Sequence, residues 1–163
     1  MESLVAWDLF AGFCVSAYAV YIEYQAESKE NYEAMCDISE QVSCTKVLSS
    51  EYSNIWSALG FITKDSALDK SNAFYGLFFY ILVGIIFWKL RHYELGQLML
   101  LTLSTAAMVL CAFLSYILAD VLHTICLVCH ATYLVNFILF ACFSYMYFRW
   151  KPVLGSKKKL HLK

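Results

Sequence analysis

Four apolar stretches dominate this chain and leave few ways for it to fold. Crossing the hydrocarbon of a bilayer as a helix takes about 20 apolar residues. Leu95 to Ala119 runs 25 residues without a charge. Thr124 to Phe148 runs another 25, with His130 the only residue besides the cysteines that titrates near neutral pH. Ser71 to Trp88 adds 18 uncharged residues and extends through Leu90 if Lys89 snorkels to the headgroups. Leu4 to Ile22 is the weakest of the four because it contains Asp8. Composition excludes an ordinary soluble domain: 61% of residues are hydrophobic and only 15% charged. The expected fold class is an all-α membrane protein. It is a four-transmembrane-helix bundle in a single domain, 1–163, with spans near 5–24, 72–90, 95–119 and 124–148.

The first stretch is expected to be a retained span. Ala17-Tyr18-Ala19 has the small-x-small form of a signal-peptide cleavage site, but Met1 to Asp8 carries two acids and no basic side chain, the reverse of a signal n-region. Charge then orients the bundle. Arg149, Lys151, Lys157, Lys158, Lys159 and Lys163 make 149–163 a basic tail without an acid, and Lys89 and Arg91 mark the turn before Glu94. The segment Glu23 to Lys70 holds nine acids against four lysines. The positive-inside rule puts the tail, that turn and, with four spans, the N-terminus in the cytosol. The 25–71 loop and the turn around His123 fall on the far side.

Within that loop Val47-Leu48 and Ile55 to Ile62 are short apolar runs, the second expected to form an interfacial helix or a cap on the bundle that Gly60 ends. Pro152 is expected to help stop the fourth span. Lys159-Leu160-His161-Leu162-Lys163 has the layout of a variant dilysine retrieval signal of the endoplasmic reticulum.

The seven cysteines divide by position. Cys14, Cys111 and Cys142 lie inside spans, where a thiol acts as a small hydrophobe. Cys36 and Cys44 lie in the far-side loop, and Cys126-Leu127-Val128-Cys129 opens the fourth span on that same side. That compartment permits disulfides. At i and i+3 the two sulfurs of Cys126 and Cys129 share a helix face, where free N–H groups and the helix dipole favour a thiolate. A structural disulfide is the plain alternative, but a pair three apart on a helix is strained and easily reduced. Cys126-x-x-Cys129-His130 also matches a c-type haem attachment pattern, yet haem needs a roomy loop. A four-cysteine zinc site fits the count, although the eight-residue Cys36–Cys44 separation is wide for one. No Gly-x-Gly-x-x-Gly or phosphate loop is present, so an electron acceptor has to come from outside. A lipid-soluble quinone suits a site at the membrane surface.

Several stretches together resemble the vitamin K epoxide reductase family of animals. They are Met35-Cys36-Asp37-Ile38-Ser39, Ser43-Cys44-Thr45-Lys46-Val47, Lys64-Asp65-Ser66-Ala67-Leu68, Ser71-Asn72, and Cys126-x-x-Cys129 with Thr132-Tyr133. Ser43 to Ser50 is closer to the epoxide reductase itself and Lys64-Asp65 to its complex subunit 1-like paralogue. The resemblance implies a four-helix bundle around a quinone pocket in the endoplasmic reticulum membrane. It implies reduction of vitamin K 2,3-epoxide to the quinone and of the quinone to the hydroquinone, with no bound cofactor and no metal. Electrons would come from a dithiol or a lumenal thioredoxin-fold protein, and 4-hydroxycoumarin-type anticoagulants would be ligands.

By the same resemblance Cys129 attacks substrate, Cys126 resolves it, Cys44 shuttles electrons and Cys36 exchanges with the partner. The implied disulfides are Cys126–Cys129 and Cys36–Cys44, with a transient Cys44–Cys126. Asn72 and Tyr133 would hydrogen-bond the quinone oxygens, and Val47, Leu48, Phe79 and Tyr80 would form apolar wall. On residues alone, the favoured readings are Asn72 as only a helix N-cap and Tyr133 as an interfacial tyrosine. The family's Arg-Trp-Gly-Arg-Gly-Phe-Gly run is replaced here by Glu51-Tyr52-Ser53-Asn54-Ile55-Trp56, and Leu48 stands where one paralogue has phenylalanine. The same residues also suit a disulfide-generating oxidase that passes electrons from lumenal proteins to a quinone. A non-enzymatic tetraspan scaffold would leave the Cys-x-x-Cys idle.

Overall fold

Backbone N–H and C=O groups have no water to bond inside a bilayer, so each spanning segment satisfies them internally as a helix. The computed structural model describes residues 1–29, 32–63, 66 and 69–160, with side chains as far as residue 149. Its helices are α1 (Glu2–Ser28), α2 (Cys44–Leu48), α3 (Ile55–Ala58), α4 (Asn72–Leu90), α5 (Glu94–Tyr116) and α6 (Leu127–Leu160). Four of them, α1, α4, α5 and α6, are long and apolar enough to cross a membrane. The all-α four-helix reading therefore stands. Among the described residues the only β-pairing is a pair of isolated bridges.

Helix α1 packs on α4 and α6, and α5 closes the bundle against α6 and α4. Two apolar clusters fill it. One surrounds Phe87, Phe143, Leu100, Leu139 and Val5, all essentially without exposure. The other, at the cysteine end, gathers Ala19, Ile22, Val47, Leu48 and Val128 around Cys44 and Cys126. Close approach depends on two glycines. A Cβ on Gly12 would land on the Tyr80 ring, and one on Gly96 would strike the Leu90 carbonyl in the α4–α5 turn. Outward-facing Trp7, Phe10, Trp88 and Phe148 are exposed, a liability in water but the natural surface for lipid. Arg91 pairs with Glu2 at 3.0 Å, so the N-terminus and the Lys89–Glu94 turn share one end of the bundle.

Helix ends depart from expectation in instructive ways. Spanning helix α1 is longer at both ends than 5–24. The third span continues beyond Tyr116 as a π-helical turn, Ile117–Leu122, stopped by His123 in the left-handed region at φ 47°. Helix α6 starts at Leu127 rather than Thr124 and passes through Pro152 to Leu160. Pro152 does not stop the helix: a proline withholds one N–H, and here the helix continues past it. Of the Ile55–Ile62 run only Ile55–Ala58 forms a helix, α3, with Leu59 its C-cap, and Gly60 follows at φ 76° and ends it. Lys64-Asp65, Ala67-Leu68 and the His161–Lys163 end of the retrieval-like motif lie outside the described residues.

Candidate redox site and cavity

The far-side loop is organised by one carboxylate. Asp37 Oδ1 accepts from the Ser43 hydroxyl (2.9 Å) and the Thr45 N–H (3.0 Å), while Oδ2 accepts from the Ala34 N–H (2.7 Å) and the Thr45 hydroxyl (2.5 Å). Burial alone would push this carboxyl up, but the four donors outweigh it and hold Asp37 below the ordinary range. Ser43 also caps α2 by accepting from the Lys46 N–H at 3.1 Å. The result holds Cys44 at the start of α2 and Cys36 beside it, closed as a disulfide with a Cα–Cα distance of 5.8 Å. Donor atoms of Cys36, Asp37 and Cys44 lie within 4.8 Å of one another, a spacing a metal could use. Both sulfurs are spent on each other, however, and both carboxylate oxygens on loop donors, so the cluster is accounted for by bracing.

A single parallel bridge then joins this loop to the fourth span. Ile125 N–H donates to the Gln41 carbonyl (2.8 Å) and Ser43 N–H donates to the Ile125 carbonyl (3.1 Å), pairing Val42 with Ile125. Two residues past Val42 is Cys44, and one past Ile125 is Cys126. Both are fully buried, in one cluster with partly buried Cys36 and Cys129 packed against it. The bridge thus gathers all four redox candidates at one end of the bundle.

Cys126 and Cys129 are also disulfide-bonded, with Cα atoms 5.2 Å apart. Cys126 precedes the first helical residue, in the cap position. Its Sγ accepts the Cys129 N–H at 3.2 Å, the bond a capping side chain makes to the third helical residue. Free amides and the helix dipole at this point favour negative charge on the Cys126 sulfur. Its carbonyl meets His130 Nδ1 at 2.8 Å.

Beside Cys129 a cavity of about 620 Å³ opens between α1, α4, α5, α6 and the segment Ser50–Ile62. Seven of the expected residues line it: Cys129, Asn72, Tyr133, Val47, Leu48, Phe79 and Tyr80. Cys36, Cys44 and Cys126 stand behind this wall. Ser71, not Asn72, is the N-cap of α4, accepting from the Phe74 N–H at 3.2 Å. Asn72 instead reaches the cap, donating to the Tyr52 carbonyl (2.8 Å) and accepting from the Ile55 N–H (3.3 Å). Among the described residues, one of its two amide hydrogens has no acceptor. Tyr133 packs on His130 with ring centroids 5.7 Å apart, and its hydroxyl makes no hydrogen bond to a described residue.

Three features of the cavity were not legible. Tyr80, expected as plain apolar wall, donates to Asn136 Oδ1 at 3.1 Å, and Asn136 Nδ2 donates to Cys111 Sγ at 3.2 Å. Cys111 is therefore more than a small hydrophobe, although Cys142 sits in the apolar core and Cys14 is exposed. Glu23 lines the cavity as well. A polar residue inside an apolar span is the only sequence signal for such a group.

Four spanning helices, two disulfides meeting at one end and an apolar cavity beside them define a class: a multi-pass membrane oxidoreductase built on cysteines. The model of the vitamin K epoxide reductase family matches residues 4–144. Vitamin K epoxide reductase complex subunit 1 of Mus musculus is 32% identical over 127 residues, covering 77% of this chain and 78% of its own. The Rattus norvegicus protein of the same name is 30% identical over the same coverage. The chain belongs to the vitamin K epoxide reductase family.

Proposed function

We propose that this protein reduces vitamin K 2,3-epoxide to the quinone, and the quinone to the hydroquinone, by a four-cysteine relay in the endoplasmic reticulum membrane with both termini cytosolic. The observation that carries the reading is the position of Cys129: its side chain lines an apolar cavity while its disulfide partner, Cys126, is buried against Cys44. The named activity of the murine relatives supports the substrate class.

In this mechanism the Cys129 thiolate opens the epoxide by attack at carbon. Cys126 then attacks the Cys129 sulfur, leaving the bonding pair on the ligand, which expels the former epoxide oxygen as water and becomes the quinone. For the quinone the same two thiols give the hydroquinone and the Cys126–Cys129 disulfide. Cys44 attacks Cys126 and frees Cys129, and Cys36 attacks Cys44 and frees Cys126. The resulting Cys36–Cys44 disulfide is reduced by a lumenal thioredoxin-fold dithiol. Asn72 and Tyr133 orient the quinone oxygens, and Val47, Leu48, Phe79 and Tyr80 hold its body. No resident cofactor enters the scheme. A 4-hydroxycoumarin would compete for the same cavity.

Purified protein supplied with vitamin K epoxide and a small dithiol should form quinone. Cys129→Ala should abolish turnover, because no nucleophile reaches carbon. Cys126→Ala should stall with a covalent Cys129–ligand adduct seen by mass spectrometry. Cys44→Ala should lose turnover with a protein donor yet keep it with the small dithiol. Wild-type protein that forms no quinone would refute the reading.

A further inference from the structure

The relay described above leaves one lining residue without a task. Among the described residues that line the cavity, Glu23 is the only Asp, Glu, Lys, Arg or His. Its Oε1 is buried with no hydrogen-bond partner among the described residues. The Ser71 hydroxyl interacts with the same carboxyl, and because Ser71 Oγ already accepts the Phe74 N–H, its own proton is free to point at Glu23. One helical turn further on, Glu27 is exposed, and the two carboxyls interact across the shared face of α1.

The other titratable groups of this wall are Tyr52 of the cap, Tyr75 and Tyr80 of α4, Cys111 of α5, and Cys129 and Tyr133 of α6. Lys46 of α2 is exposed and not part of the wall. A carboxyl group in an apolar cavity, with no cation facing it among the described residues, is poor stabilising material. It is, however, well placed to move a proton.

Disulfide exchange explains how electron pairs reach the cavity but not how protons do. Quinone and two thiols give hydroquinone and a disulfide, so two hydrogens must leave sulfur and arrive on oxygen. Epoxide and two thiols give quinone, a disulfide and water, which again places two protons on an oxygen. The attacking sulfur reacts as thiolate. Its proton therefore has to be held elsewhere while the bond forms, and the restored thiols need protons from water.

Resting on the quinone-reductase reading, we propose that Glu23 is the catalytic proton carrier of this cavity, with Glu27 its link to bulk water. Glu23 takes the proton that Cys129 gives up on ionising and delivers it to the ligand oxygen. The carboxylate left behind is recharged once through Glu27 from the aqueous side and delivers the second proton. The proton that Cys126 gives up on attack is released to water, so Glu23 ends each turnover ionised and ready for the next Cys129 proton. Electrons thus enter through Cys44 and Cys126, and protons enter along α1.

The test is Glu23→Gln, which keeps size and shape but cannot exchange a proton at that oxygen. With a small dithiol it should lower kcat for epoxide and for quinone by about 100-fold or more, the scale of general acid–base catalysis, with little change in KM. Its pH–rate profile should lose the limb that the carboxyl contributes. Glu23→Asp should recover part of the rate and that limb. Thiol labelling should show the Cys126–Cys129 disulfide reduced as fast as in wild type, because electron delivery does not use Glu23. An active wild type with Glu23→Gln within about twofold of it and an unchanged pH profile would overturn the proton-carrier role. Equal loss in Glu23→Asp together with slow disulfide reduction would show a packing role instead and would also overturn it. An inactive wild type would overturn the parent reading, and the proposal with it, and is told apart from the other outcomes by the wild-type assay alone.

Discussion

Replacing Asp37 with asparagine tests whether one carboxylate sets the position of the loop cysteines. Asparagine keeps one carbonyl oxygen, enough for the bonds from the Ser43 hydroxyl and the Thr45 N–H. Its NH₂ group would face the Ala34 N–H and the Thr45 hydroxyl, which now bond Oδ2. The Ala34 N–H retains a 3.1 Å bond to Thr45 Oγ1, and that hydroxyl can rotate, so the damage is partial. Bonds to a charged group are worth roughly 1.5–3 kcal/mol each. With two weakened, one alternative kept and the site partly exposed, a local loss of about 1–3 kcal/mol is reasonable. That makes loop opening roughly 5- to 150-fold more frequent.

Native-state hydrogen exchange at the Thr45 and Ala34 amides should speed up by that factor. Turnover with a protein donor should fall, while turnover with a small dithiol changes little. The pH dependence has a definite sign. The folded carboxyl lies below its unfolded value, so its contribution is complete above the ordinary aspartate range near pH 3.9 and disappears as pH falls through the lower folded value. Between pH 6 and 8 Asp37 should contribute no change. Unaltered exchange at both amides in Asp37→Asn would refute the bracing role.

Two further outcomes are expected. Gly12→Ala drives a Cβ into the Tyr80 ring, an overpacking that typically costs 1–3 kcal/mol, and displaces the Tyr80–Asn136 bond at the cavity wall; a lower thermal midpoint and weaker quinone binding should follow, and an unchanged midpoint would mean the helices separate at no cost. In intact vesicles with the cytosolic face outward, reduced Cys36 should resist a membrane-impermeant thiol reagent until the far side is opened, and labelling from the cytosol would overturn the proposed topology.

The four spans were legible because lipid imposes one requirement that composition alone can meet. Twenty or so uncharged residues have no other stable conformation there, so Leu95–Ala119 and Thr124–Phe148 could be read with little error. Their ends were less legible. Whether α6 begins at Thr124 or Leu127 depends on the Val42–Ile125 bridge, a contact between residues far apart in sequence that no local periodicity encodes. Gly60 was readable as a helix end because its freedom at positive φ is a property of glycine alone. Pro152 was misread because a proline removes one bond without forbidding the turns on either side. Glu23, Asn136 and Cys111 went unread for a different reason. Each is one polar position in an apolar helix, and only the rotation of that helix decides whether it meets lipid, core or cavity.

The same three-residue shift at the start of α6 changes the chemistry that can be argued for the Cys-x-x-Cys. Had the helix begun at Thr124, Cys126 would have been its third residue and Cys129 its sixth, both inside the helix and neither in the cap position. Because it begins at Leu127, Cys126 takes the cap position, accepts the Cys129 N–H and lies buried with Cys44, while Cys129 faces the cavity. One sulfur is thereby set toward the Cys36–Cys44 disulfide, and the other toward the cavity. The bridge at Ile125 fixes this division, and Asp37 fixes the loop that makes the bridge. The polarity of the proposed relay rests on the end of a helix, two bridged residues and one carboxylate. Each belongs to a different part of the chain, so only the fold brings them into a single device.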